Sequence, residues 1–256
     1  MIALTNVVKR FGDLAAVDNL TLRVPRGEFF AVLGPNAAGK TTTLKLLAGL
    51  MKPNSGTVEV AGFDLERQPL EARQRLAFVP DFPFLYDKLT PWEFFRFTGE
   101  LFRMEEERIL ETGGQLVERF NLEACVHQPI EALSHGTRQR VAIASALLHD
   151  PEVLIIDEPM VGLDPQHARV VKDVLKERSR AGMTIFLSTH QLSVAEELAD
   201  RIGILHRGRL IAVGTREELR TNTGITPFED VFLALTSEPE EPSGNSAISA
   251  AAKAAK

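Results

Sequence analysis

Gly34-Pro35-Asn36-Ala37-Ala38-Gly39-Lys40-Thr41 is the stretch that decides how this chain is read. The octet satisfies G-x-x-x-x-G-K-[ST], and each part of that spacing has a physical task. Backbone N–H groups of a tight loop point inward and cradle phosphate oxygens. A helix opening after the loop adds the partial positive charge of its N-terminus. The Lys40 ammonium reaches β- and γ-phosphates, and the Thr41 hydroxyl is a ligand for Mg²⁺. The context fits. Residues 28–33 form an apolar strand candidate before the loop, and residues 40–50 form a helix candidate ended near Gly49 and Pro53.

Downstream, Val153-Leu154-Ile155-Ile156-Asp157-Glu158 is an apolar run that ends in two carboxylates. Ligands of open α/β sheets bind outside such strand ends. There, Asp157 is placed to hold Mg²⁺ through water, and Glu158 to polarise an attacking water as a general base. Further short strands are expected at 2–8, 20–24, 57–61, 184–188 and 201–205. Helices are expected at 138–148, 166–180 and 192–198. Residues 92–122 read as mainly helical, interrupted around Gly113-Gly114. Alternating strands and helices imply a mainly parallel sheet, and the long helical stretch implies an inserted subdomain.

Composition bounds the rest. The chain has 256 residues, 44% hydrophobic and 25% charged, which is ordinary for a globular protein. One cysteine, Cys125, excludes an internal disulfide framework and a four-cysteine zinc site. No run approaches the length of a membrane-spanning helix, and no signal peptide is visible. A formal charge of −6, from 29 Lys and Arg against 35 Asp and Glu, disfavours general nucleic-acid binding. Residues 236–256 are rich in Glu, Pro, Ser and Ala and are expected to be a disordered tail.

Leu133-Ser134-His135-Gly136-Thr137-Arg138-Gln139-Arg140 narrows the field. It resembles the signature motif of ABC ATPases, Leu-Ser-Gly-Gly-Gln followed by a basic helix. With the phosphate loop and the Asp157-Glu158 strand, it makes residues 2–235 resemble the ATP-binding subunit of an ABC transporter, of the stand-alone exporter type. The resemblance implies an α/β fold: a P-loop NTPase core of ABC type with an N-terminal antiparallel β portion and an inserted α-helical subdomain. Residues 1–84 and 150–235 would form the core, and residues 85–149 the helical signature subdomain.

The resemblance also implies roles. Lys40, Glu158 and His190 are the catalytic residues, with His190 as the switch histidine about 30 residues after Glu158. Phe11, 29 residues before Lys40, stacks on adenine unless it is a core residue. Gly34, Pro35, Asn36, Ala37, Ala38, Gly39, Lys40, Thr41 and Thr42 hold the phosphates. Ser134 and Gly136 act in trans on a nucleotide held by a second subunit. Thr41, Asp81 and Asp157 bind Mg²⁺, and the 162–165 loop contacts the opposite subunit. The implied cofactors are ATP and Mg²⁺. The implied partners are a homodimer or a sister ATPase subunit, and an integral membrane permease that carries the pore. The implied location is the cytoplasmic face of the membrane.

Three positions depart from the family pattern. Ala37 stands where a glycine is usual, so the loop must avoid positive φ there or carry strain of about 1 kcal/mol. Asp81 replaces a glutamine and keeps an oxygen ligand on a shorter arm. His135 replaces the first signature glycine; protonated it favours the partner's γ-phosphate, and neutral it packs. Residues 82–102 hold six of the fifteen phenylalanines with the only tyrosine and tryptophan. A helical subdomain would bury three or four of these, leaving the others either to line a groove for a permease helix or to join an internal core. The alternative to a transporter subunit is a soluble ABC ATPase acting on ribosomes or DNA. Those proteins usually fuse two ATPase halves or insert a coiled coil, and 117 positions between Lys40 and Asp157 leave no room for one.

Overall fold

A computed structural model describes residues 1–223 and 227–236. The expected tail lies outside the described residues, except Thr236, which closes the last helix. In chain order the strands are β1 (Ile2–Phe11), β2 (Leu14–Val24), β3 (Phe29–Leu33), β4 (Ser55–Val60), β5 (Phe63–Asp64), β6 (Leu76–Val79), β7 (Val153–Asp157), β8 (Thr184–Ser188), β9 (Arg201–His206) and β10 (Arg209–Gly214). The helices are α1 (Lys40–Leu47), α2 (Pro69–Arg73), α3 (Pro91–Leu101), α4 (Glu106–Arg119), α5 (His135–Leu147), α6 (Pro165–Arg180), α7 (Leu192–Leu198), α8 (Arg216–Thr223) and α9 (Phe228–Thr236).

Two sheets form. One is antiparallel, in the order β2-β1-β4-β5. The other has the order β10-β9-β3-β8-β7-β6, parallel throughout except for the β9–β10 hairpin. Every residue of β3, β7 and β8 is buried. That is why these strands read in the sequence as continuous apolar runs: parallel strands are covered on both faces. On one face, Phe30, Val32, Ile155 and Phe186 join Leu44 and Leu47 of α1 and the inner side of the antiparallel sheet in one core cluster. On the other, Leu33, Leu154 and Leu187 join Val141 and Leu147 of α5 and Val171 and Leu175 of α6 in a second. Helix α1 is therefore clamped between the sheets, with the phosphate loop at its head.

The helical stretch differs from its expected shape. It breaks at residues 102–105, between α3 and α4, and runs unbroken through Gly113 and Gly114. Gly113 is there for packing: a Cβ at that position would approach the Trp92 ring to 3.2 Å. Helix α3 begins at a capping box, Thr90 with Glu93, followed by Pro91. Of the aromatic cluster only Phe95 is fully buried; Trp92, Phe94, Phe97 and Phe102 are half-buried. Phe84 is 91% exposed, and Phe82 and Tyr86 are exposed too. The helical layer is thin and buries fewer aromatics than the sequence suggested.

Candidate functional site

The phosphate loop leaves the carboxyl end of β3, and α1 starts at Lys40. Gly39 takes φ 103, and a Cβ there would collide with the Ala16 carbonyl of β2. Only glycine fits that contact. Ala37 adopts φ 62, so of the two possibilities open for this alanine the loop carries the left-handed strain. Lys40 folds over the loop, its Nζ donating to the carbonyls of Gly34 at 2.6 Å and Pro35 at 3.1 Å. Burial lowers the Lys40 pKa, while the charges of Glu158 and Asp157 act in the opposite direction.

Strand β7 delivers the carboxylates beside the loop. The Thr41 hydroxyl donates to Asp157 Oδ2 at 3.3 Å. Burial lifts the Asp157 carboxyl above the usual aspartate range, and the charges of Glu158 and Asp81 push the same way. Glu158 follows with φ 47, a conformation disfavoured for a glutamate, held by its N–H donating to the Ser188 carbonyl at 2.9 Å. Its two carboxylate oxygens are both engaged. Thr189 Oγ1 donates to one at 3.0 Å, and His190 Nδ1 shares a 2.8 Å hydrogen bond with the other. Both partners come from the segment just after β8, the strand between β3 and β7.

These groups line one cleft of about 850 Å³. Phe11, Asn36, Ala37, Ala38, Gly39, Lys40, Thr41, Thr42, Asp81, Asp157, Glu158 and His190 all face it. Gly34 and Pro35 belong to the loop but do not line the cleft. Phe11 is 49% exposed at the cleft edge, which removes the core-phenylalanine alternative. Thr189, Leu14, Val161 and Arg207 belong to none of the motifs above, yet Thr189 holds Glu158 and the other three line the cleft. Thr189 was visible in principle, since it adjoins His190 after a buried strand; Arg207 reaches the cleft only through tertiary structure.

Ser134 and Gly136 are not part of this cleft. They sit at the N-terminus of α5, where Ser134 accepts a hydrogen bond from Thr137 N at 3.2 Å. This end of α5 packs against the 162–165 loop. A Cβ on Gly136 would come within 2.8 Å of the Gly162 carbonyl, and one on Gly162 would strike the His135 ring. The His135 ring also meets Phe82 edge-on, 6.3 Å between centroids. This contact joins the signature turn to the residue after Asp81. Asp164 caps α6, accepting from Gln166 N and His167 N at 3.0 Å. Arg138 and Arg140 hold backbone carbonyls of Ile130, Phe120 and Asn121 and so brace the signature helix.

A second depression, of about 240 Å³, lies away from the cleft. Phe84, Leu85, Phe94, Phe102 and His149 are among its walls, between β6, α3 and α5.

Comparison with known proteins gives a consistent picture. Residues 17–161 match the family described as ABC transporter. The chain is 34% identical over 236 residues to a linearmycin resistance ATP-binding protein of Bacillus subtilis, covering 92% of this chain and 75% of that one. It is 40% identical over 219 residues to a Nod factor export ATP-binding protein of Cupriavidus metallidurans, covering 86% and 72%. A solved structure of an ATP-binding subunit of an ABC transporter superposes with a TM-score of 0.88 at 32% identity, covering 93% of this chain and 100% of that one. A dimeric ATP-binding cassette in a post-hydrolysis state with ADP and Pi superposes at 0.77 and 27% identity, covering 84% and 98%.

Proposed function

This chain belongs to the ABC transporter family as an ATP-binding and hydrolysing subunit, and on that premise we propose how its residues divide the work. The observation that carries the assignment is Glu158, fixed by Thr189 and His190 across the cleft from Lys40 and Thr41. Phe11 stacks on the adenine, and the loop amides and Lys40 hold the phosphates. Thr41, Asp157 and Asp81 are hard oxygen donors clustered at one side of the loop, a set that suits Mg²⁺ carried in with a triphosphate. Held by these residues, Mg²⁺ would supply charge neutralisation for the transferring phosphoryl group. Glu158 orients and deprotonates the attacking water, and His190 holds the Glu158 carboxylate in place and senses the γ-phosphate.

The signature end of α5 lies outside its own chain's cleft, so Ser134 and Gly136 complete the site of a second ATPase subunit, identical or a sister. The exposed aromatics beside Asp81, with the 240 Å³ depression, receive a helix of an integral membrane permease. Among the described residues no helix is long and apolar enough to cross a membrane, which fits a peripheral subunit borrowing its pore at the cytoplasmic face. The relatives named for drug resistance and Nod factor export favour export. On the division into a core of 1–84 and 150–235 with a helical insert at 85–149, the docking surface straddles the junction: Phe82 and Phe84 belong to the core, and Tyr86 and Phe94 to the insert.

Co-purification from detergent-solubilised membranes tests this. A polytopic membrane protein at near-equal ratio is expected, and Phe84→Glu is expected to lose it while binding ATP normally. Ribosomes or DNA-processing proteins in its place, or a partner retained by Phe84→Glu, would contradict the assignment.

A further inference from the structure

Strands β9 and β10 meet in a two-residue turn, Arg207-Gly208, with His206 paired to Arg209. Both turn residues have positive φ, 49 and 78. Such a turn prefers Asn or Gly at its first position, because most side chains are strained there. An arginine stands there instead. A residue that breaks a local rule is a reason to ask what its side chain does.

The turn is pinned on both sides. Gly208 N donates to the Ala38 carbonyl of the phosphate loop at 2.9 Å, and Asp18 N of β2 donates to the Gly208 carbonyl at 2.9 Å. Arg209, two residues on, is engaged with Asp18 at 2.7 Å. Arg207 lines the nucleotide cleft, as do Phe11, Leu14, Ala15 and Ala16. Sheet order fixes which part of the cleft this is. Strand β9 flanks β3 on one side, while β8 and β7, which bring His190 and Glu158, lie on the other. Arg207 and the hydrolytic carboxylate are therefore on opposite flanks of the phosphate loop.

We propose that Arg207 is a nucleotide-binding residue whose guanidinium contacts the α-phosphate end of the bound nucleotide. The assignment rests on the ATP-binding function above and adds a second cation to the site, opposite the γ-phosphate end. A planar guanidinium suits phosphate oxygens, and the pinned turn holds its base in place. Because ATP and ADP share that end, the contact strengthens both alike. It is uniform binding, which moves affinity rather than the chemical step.

Equilibrium binding of ATP and ADP to the full chain, with thermal unfolding, tests the assignment in Arg207→Asn and Arg207→Lys. Asparagine suits the turn, so Arg207→Asn is expected to keep or raise Tm while Kd for ATP and for ADP both rise about tenfold. Arg207→Lys keeps the charge without the fork and is expected to fall between. Unchanged affinities in Arg207→Asn would overturn the assignment, as would a loss confined to ATP or a loss that accompanies a lower Tm. Wild-type chain that binds no ATP would overturn the functional reading as well, so the two failures are distinguishable.

Discussion

Helices α1 and α5 each present an N-terminus, and they are finished differently. The first turn of α1 starts at Gly39 with no side-chain cap, and Gly39 to Thr42 line the cleft. The first turn of α5 is capped by Ser134 and stands outside the cleft. An uncapped helix start keeps its amides for an anion, whereas a capped one is already satisfied within its own chain. The difference teaches that one chain carries a complete phosphate cradle and, at a separate place, a second helix end fit to approach a nucleotide held elsewhere. On the proposed two-chain site, hydrolysis depends on both ends, and binding on the first alone.

The largest expected effect separates binding from chemistry. Glu158→Gln keeps the size of the side chain and the hydrogen-bond partners of one oxygen, but removes the base. Steady-state ATPase is expected to fall by about a thousandfold with Kd for ATP within a few-fold of wild type. A comparable loss of affinity would show that Glu158 serves the fold rather than the reaction.

Ser134→Glu addresses the other helix end. A carboxylate is tolerated at a helix start, so the chain should fold and bind ATP alone. Repulsion of a γ-phosphate brought by a second subunit is expected to lower ATPase at least about tenfold. Activity equal to wild type in a phosphate-release assay would remove α5 from the site.

Gly162→Ala tests how the signature turn is supported. The new Cβ meets the His135 ring at a backbone of φ 77, and denaturant unfolding is expected to show a loss of about 2 kcal/mol. The smallest effect is at the first helix end. Ala37→Gly relieves a left-handed alanine but loosens the unfolded chain, for a net gain of about 0.5 kcal/mol in the same assay. A destabilised Ala37→Gly would mean that the alanine methyl contributes packing that outweighs its backbone strain.

The parts of the fold legible in the sequence are those whose physics is local. The strands at Val153–Asp157 and Thr184–Ser188 were readable to the residue, because full burial leaves an unbroken apolar run bounded by polar residues. The phosphate loop was readable for the same reason: its glycines, lysine and threonine act within eight positions. Strand β6, Leu76–Val79, is not legible because four residues are too few to show a period. Gly113-Gly114 suggested a break because propensity is blind to the Trp92 ring that fills the space beside Gly113. Ala37 stands out in the sequence, but only its dihedral angle shows that the loop carries the strain. Arg207 was invisible, because nothing in the chain near it indicates that a hairpin 167 residues after Lys40 returns to the phosphate loop.

Sedimentation of purified Glu158→Gln with ATP or with ADP tests the two-chain site most directly. Trapped ATP is expected to shift the chain, alone or mixed with its sister subunit, from monomer to dimer; ADP should leave it monomeric, and adding Ser134→Glu should abolish the shift. A chain that stays monomeric with ATP bound, while the wild type hydrolyses at a rate per molecule independent of protein concentration, would contradict the account.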